Sequence, residues 1–252
     1  MTDKQYNEIP AVRRSALWEI RKSPMHYKYA VEHPEEPTEA LRFGIAAHKY
    51  ILEPDTFFDE FVAVPKIDRR TKAGKEEWAE LLASGKEFVT ESDMDTIRAM
   101  DAAIMAHPTA RALLKTGRHE VAFQWNEGTT NEPCKCRADC LTEYKGSKFI
   151  VDYKTTTSCE DGAFERACRS YGYKLQAAMY TDGVFNQTFE EYGFAFVAQE
   201  KKPPYAVRVY FCDPGFIDEG LELFKSLIGT YHECRLSGEW PGYEDKEIYG
   251  DE

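Results

Sequence analysis

The chain is 252 residues long, 42% hydrophobic and 30% charged, with 32 Lys and Arg against 44 Asp and Glu and a formal net charge of −12. That length suffices for one sizeable core. The charge excludes a protein coated in basic residues for nonspecific nucleic-acid binding, but not a local basic groove. No stretch approaches the roughly 18–20 apolar residues of a membrane span, and the polar residues 1–10 lack the apolar segment of a secretory signal. Seven cysteines, an odd number at irregular spacing, point to a reduced, cytoplasmic setting.

The first hundred or so residues read as mainly helical. Ser15 is placed to cap a helix through Ala16, Leu17 and Ile20 that Ser23-Pro24 interrupts, and Thr38 to cap a helix over 39–52 that Glu53-Pro54 ends. A strand over 60–64 precedes a loop, and helices follow over 74–83 and 92–106, the second capped by Ser92 or Asp93. After Gly117 the period changes. A strand over 120–125 leads through a loop at 128–133 into a hairpin, 134–144 and 148–155, turned at Lys145-Gly146. A helix over 163–182 ended by Asp182-Gly183, two strands over 192–200 and 205–212, and a helix from Pro214 to about Leu236 complete the pattern. This order predicts a mixed α/β (α+β) core in a single domain over 1–252. It has a helical N-terminal part at 1–115, a sheet-based core at 116–236 and an acidic tail at 237–252.

The chemistry concentrates in the hairpin. Within Phe149-Ile150-Val151-Asp152-Tyr153-Lys154 an otherwise apolar strand carries an acid and a base two residues apart, hence on one face. A two-residue turn at Lys145-Gly146 sets Asp139 opposite Asp152 and Arg137 opposite Lys154. Two carboxylates facing across a ladder repel unless a cation lies between them, and oxygen ligands select hard ions such as Mg²⁺ or Mn²⁺. A lysine beside such an ion suits phosphodiester hydrolysis. Strand parity puts Cys134, Cys136 and Cys140 on one face as small hydrophobes; C-x-C-x₃-C with His119 lacks the paired spacing of a zinc site. His48 shares a helix face with Leu41, Gly44, Ile45 and Leu52, which by pattern alone describes a core histidine. The segment 66–75 carries Lys66, Arg69, Arg70, Lys72 and Lys75 and, with Arg137, supplies the candidate DNA-backbone contacts.

These residues resemble a known family. Asp139 followed by Asp152-Tyr153-Lys154 resembles the PD-(D/E)xK nuclease signature, with Ala138 in place of its proline. Gln176-x₃-Tyr180 and Gly44-x₃-His48 are similar to helical motifs of its RecB-like and lambda-type exonuclease branch. Ser23-Pro24-x-His26-Tyr27, Arg42-Phe43-Gly44, Asp68-Arg69-Arg70-Thr71-Lys72-x-Gly74-Lys75, Tyr171-Gly172-Tyr173 and Trp240-Pro241-Gly242-Tyr243 extend the likeness to RecE-type (exonuclease VIII) nuclease domains. The resemblance implies a restriction-endonuclease-like core. It also implies Mg²⁺ (or Mn²⁺) held by His48, Asp139, Asp152 and the Tyr153 carbonyl, with Lys154 activating water. Glu120 is implied as an accessory acid, and Gln176 and Tyr180 face the same site. The implied activity is 5′→3′ digestion of linear duplex DNA from its ends, leaving 3′ tails for a RecT-type annealing protein, by a ring-shaped homo-oligomer. Another nuclease of the superfamily, an endonuclease or a CRISPR-associated type, and a noncatalytic DNA-end-binding module are the competing readings.

Overall fold

The computed structural model describes residues 3–246 apart from Lys66, Asp68 and Arg69. Helix α1 (Asp3–Glu8) and the two-residue strand β1 (Val12–Arg13) lead into α2 (Arg14–Ile20), α3 (Pro24–Glu32) and α4 (Glu39–Leu52). Then come α5 (Phe57–Glu60), β2 (Phe61–Val64), α6 (Lys72–Ala83), β3 (Glu87–Thr90), α7 (Glu91–Ala106) and α8 (Pro108–Leu114). The rest of the chain forms β4 (Arg118–Asn126), β5 (Pro133–Tyr144), β6 (Ser147–Thr156), α9 (Asp161–Tyr171), α10 (Tyr173–Thr188), β7 (Gly193–Glu200), β8 (Val207–Phe211) and α11 (Pro214–Ser237).

Local signals explain many boundaries. Thr38 accepts a hydrogen bond from the Leu41 N–H at the start of α4, and Asp213 accepts from Phe216 at the start of α11. Helix α7 is capped by Thr90, not by Ser92 or Asp93; Asp93 is the reciprocal member of that capping box. Ser15 lies inside the first turn of α2 and caps nothing, since Arg13 holds the cap position.

The helix expected over 163–182 is two helices. Gly172, at φ +67°, breaks the run in the left-handed region, and a Cβ there would lie 2.6 Å from the Trp18 ring. Helix α10 then runs through Asp182-Gly183 to Thr188. Gly183 is a packing residue: a Cβ would lie 2.5 Å from the Trp125 ring. Strands β1 and β3 and helices α1, α3, α5 and α8 lie outside the sequence expectation; β2 and β3 pair parallel as a separate small sheet.

Among the described residues the main sheet has six strands in the order β1-β5-β6-β7-β8, with β4 along the other edge of β5. Strands β6 and β7 are parallel, and β4–β5, β5–β6 and β7–β8 antiparallel. Because β4 pairs with β5 throughout, β1 and β6 must share the opposite edge. Strand β1 takes Cys134 and Lys135, and β6 begins at Cys140. Between them, among the described residues, Cys136–Asp139 has no strand neighbour on that edge, and there the sheet opens.

One face packs on α2, α9, α10 and α11 through Leu17, Phe164, Leu175, Phe194, Phe196 and Phe224. The other packs on α4, α7 and α8 through Ile51, Ile97, Met100, Leu113, Val151 and Val197. Gln199, fully buried, ties the second layer to the sheet, accepting from the Tyr153 hydroxyl and donating to the Met100 carbonyl.

Glu132, 2% exposed, fastens the β4–β5 loop to α11 by contacts of 2.5 Å to His232 and 2.7 Å to Arg235. Burial opposes its charge, but these two partners outweigh burial and hold its carboxyl below the ordinary value. A depressed folded pKa stabilises the fold above about pH 4.5, and the contribution fades as pH falls through the folded value. Glu132→Gln is expected to cost ~1–3 kcal/mol at pH 7 and less as pH falls below about 4.5, read from denaturant midpoints over that range.

Candidate active site

The hairpin register is the one set by the two-residue turn: Leu141 pairs with Ile150 and Cys140 with Val151, so Asp139 and Asp152 are the next opposed positions. The ladder itself ends there. In its place the Tyr153 N–H donates to Asp139 Oδ2 at 2.8 Å. Arg137 does not face Lys154 across a ladder, because β5 and β6 have already diverged.

The strand alternation also switches at this level. Cys136 and Ala138 belong to the α10 face, whereas Cys140 belongs to the α8 face, where its thiol donates to the Leu113 carbonyl. The expectation of one common face for Cys134, Cys136 and Cys140 is therefore corrected. Strand β4 switches in step: His119 bonds the Leu114 carbonyl on the α8 side, and Phe123 packs on the α10 side. Between them Glu120 has φ +52°, a left-handed conformation unfavourable for a glutamate and common where function constrains the backbone. The pairing is unshifted across it, with His119 on Cys140 and Val121 on Ala138. Glu120, Asp139 and Asp152 thus form a row across three adjacent strands where the sheet opens.

Helices complete the row from both layers. From α4, His48 places Nε2 at 2.8 Å from Asp139 Oδ2 and Nδ1 at 3.5 Å from Glu120 Oε1. From α10, the buried Gln176 donates to Asp152 Oδ1 at 2.5 Å. Lys154 Nζ lies 2.6 Å from Asp152 Oδ2 and 5.1 Å from the Tyr173 ring centre. Arg137 Nε lies 2.6 Å from Glu120 Oε2. Tyr180, one turn after Gln176, lines the same cleft and packs edge-on against Phe194. The cleft encloses about 890 Å³.

Burial and mutual repulsion set the charges. Asp152, 1% exposed, is pushed up to about 6, first by burial and then by Asp139, against the pull of Lys154. Glu120 is pushed up to about 7 by burial and by Asp139, with His48 and Arg137 opposing. Burial would raise Asp139 as well, but the contact with His48 brings it below the ordinary carboxylate value. For His48, burial works toward the neutral form, yet Asp139 outweighs it and the imidazole rises to about 9.

Among the described residues, His48, Glu120 and Asp139 offer ligand atoms all within 4.8 Å of one another, with Asp152 alongside. The buried Asp152 Oδ2 has the Lys154 ammonium at 2.6 Å as its ion-pair partner and takes no well-formed hydrogen bond. Three carboxylates, one imidazole and an unsatisfied buried oxygen suit a hard divalent cation of the Mg²⁺ or Mn²⁺ type.

Sequence reasoning thus finds its hairpin, histidine and α10 residues in one cleft. The basic loop is different. Lys66 and Arg69 lie outside the described residues, and Arg70, Lys72 and Lys75 are exposed but do not line the cleft. The cleft's described cations are Arg13, Arg14, Arg42, Lys49, Lys135, Arg137 and Lys154. Of these the sequence reading assigns a role only to Arg137 and Lys154, and names Arg42 only as part of a motif. Arg13 and Arg14 carry no strong signal beyond lying before a helix.

An opened mixed sheet bearing an acid, then acid-x-lysine on the neighbouring strand, defines a protein of the PD-(D/E)xK fold class. The chain belongs to the family described as the PDDEXK-like domain of unknown function (DUF3799), whose model matches residues 14–249. Its fold is similar to the crystal structure of a protein from Eubacterium rectale named "Putative exonuclease". That match has 15% identity and a TM-score of 0.64, covering 99% of this chain and 96% of that one. A second structure, SSO0001, aligns at 16% identity and a TM-score of 0.31, over 73% of this chain and 84% of that one. No curated protein matches the chain.

Proposed function

We propose that the chain is a divalent-metal-dependent deoxyribonuclease that hydrolyses linear duplex DNA from an end. The observation that carries this reading is the row Glu120, Asp139 and Asp152, closed by His48 on one side and Lys154 on the other. His48, Glu120, Asp139, Asp152 and the Tyr153 carbonyl would hold Mg²⁺ or Mn²⁺. When bound, such an ion would supply neutralisation of charge on the scissile phosphate and a lowered pKa for bound water. Lys154 orients the attacking water and the phosphate oxygen. Gln176 keeps the Asp152 carboxylate turned toward the cleft, and Tyr180 forms its wall behind the substrate strand.

The finer reading follows the resemblance to RecE-type nucleases: 5′→3′ polarity, a ring-shaped homo-oligomer around DNA, a RecT-type annealing partner and work in the cytoplasm. The name of the Eubacterium rectale protein speaks only to exonuclease activity. Among the described residues no helix is long and apolar enough to cross a membrane.

Digestion of a linear duplex labelled separately at each 5′ end, beside a closed circle, tests both levels. The expected result is release of labelled 5′ nucleotides from the linear form alone, in Mg²⁺ or Mn²⁺ and not in chelator. Cutting of the closed circle would move the chain to the endonuclease class. Absence of cleavage of either substrate, with metal and DNA ends both bound, would favour the noncatalytic end-binding module.

A further inference from the structure

Helix α2 reaches toward the catalytic row through Arg14, whose contact with Gln176 connects it to Asp152. Its Nη1 donates to the Tyr171 carbonyl at 2.8 Å, and its Nη2 to Gln176 Oε1 at 3.4 Å. Tyr171 is the last residue of α9, immediately before the left-handed Gly172 from which α10 starts, and Trp18 of the same α2 fills the space beside that glycine. Helix α2 therefore grips the α9–α10 junction twice, four residues before Gln176.

The second contact bears on chemistry. A glutamine amide has a donor end and an acceptor end that can exchange by a half-turn. A guanidinium can only donate and an ionised carboxylate can only accept. With Arg14 on one side and Asp152 on the other, a single orientation satisfies both: oxygen to Arg14, nitrogen to Asp152. A flipped amide would set its oxygen against a buried carboxylate and its NH₂ against a cation.

We propose that Arg14 is a positioning residue for this site, acting through the amide of Gln176 to hold the Asp152 carboxylate. The chain Arg14–Gln176–Asp152 mirrors Arg137–Glu120 on the other side of the row. Outer partners of this kind typically change metal affinity or activity by about 10–100-fold when removed. Arg14 also lines the cleft, so direct contact with a DNA phosphate is the competing role. The proposal deepens the nuclease reading and rests on it only for its kinetic readout.

The test combines spectroscopy and kinetics on the full chain. In ¹⁵N-labelled, metal-free protein, the Gln176 side-chain amide signal is assigned by its loss in Gln176→Met. That signal should move in Arg14→Met and stay near its wild-type position in Arg14→Lys, which keeps a donor-only head group. On a linear duplex with Mn²⁺, Arg14→Met should lower kcat about tenfold with KM within twofold. Added to Gln176→Met, it should change kcat less than twofold. If Arg14→Met does not fold, Arg14→Gln, able to present either a donor or an acceptor, carries the same expectations. An unmoved amide signal overturns the proposal. So does an effect confined to KM that persists in the Gln176→Met background, which would make Arg14 a phosphate contact. A wild-type chain that cleaves no DNA removes the nuclease reading, and the amide signal alone then decides the role of Arg14.

Discussion

Asp152→Asn should reduce cleavage of linear duplex by roughly 10³-fold or more while leaving the chain folded and still able to bind DNA ends. The substitution keeps the shape of the side chain, and its oxygen can still accept from Gln176 Nε2, so the α10 contact survives. What it removes is one negative charge from the row of three carboxylates, at the end next to Lys154. Burial already works against ionisation of Asp152, and the protein tolerates that cost at a position where a neutral amide would fit. Lys154→Met should give a similar loss for a complementary reason. The acids remain, but nothing orients water or meets the charge on phosphate, and a buried carboxylate loses its partner at 2.6 Å. The two variants should differ in metal-free stability. Asn relieves repulsion from Asp139, whereas removal of the lysine leaves that repulsion uncompensated, so Lys154→Met should melt lower. Initial rates on end-labelled duplex, together with thermal melts in chelator, check both halves. Retention of a tenth or more of wild-type activity in either variant would sink the site assignment.

How much of this site can be read from the chain depends on how local the signal is. The hairpin is legible because a two-residue turn fixes a register, and that register places Asp139 against Asp152. Thr38, Pro214 and the limits of α4 are legible because capping is written within four residues. The strand switch is not. Nothing in Arg118-His119-Glu120-Val121 announces a left-handed glutamate, because the conformation is imposed by the two cores that flanking residues must reach. The same limit hides β1, two residues long, whose pairing with Cys134 and Lys135 spans more than a hundred positions. Two glycines mislead for opposite reasons. Gly172 breaks a helix that apolar periodicity alone would continue, and Gly183 sits inside one, where Trp125 needs the room. The opening charge of −12 also acquires a location. Seven of its described acids and seven of the described lysines and arginines line the same cleft, so neither sign describes the working surface alone.

Gly220 provides a test of how far the fold and the site are one object. It is buried in α11 where that helix crosses α10. A Cβ there would collide with the Lys174 carbonyl and come within 2.9 Å of Ala178 Cβ. No rotamer change relieves a collision with backbone, so Gly220→Ala must push the two helices apart. Overpacking of this kind costs about 1–3 kcal/mol, occasionally more, which for a chain of this size lowers Tm by ~2–4 °C per kcal/mol. Gly229→Ala on the same helix is the control. No atom of another described element lies within 4 Å of its added methyl, and the lost backbone freedom of the unfolded chain should raise stability by about 0.4–1 kcal/mol. The displaced backbone in Gly220→Ala is that of Lys174, two residues before Gln176, so the amide that holds Asp152 moves with it. A displacement near 1 Å at a positioned group can cost about 10²-fold in rate. Gly220→Ala should therefore lose far more activity, per folded molecule at 20 °C, than its melting curve explains, while Gly229→Ala keeps full activity. A variant destabilised at Gly220 yet fully active would show that α10 holds Gln176 independently of its packing on α11.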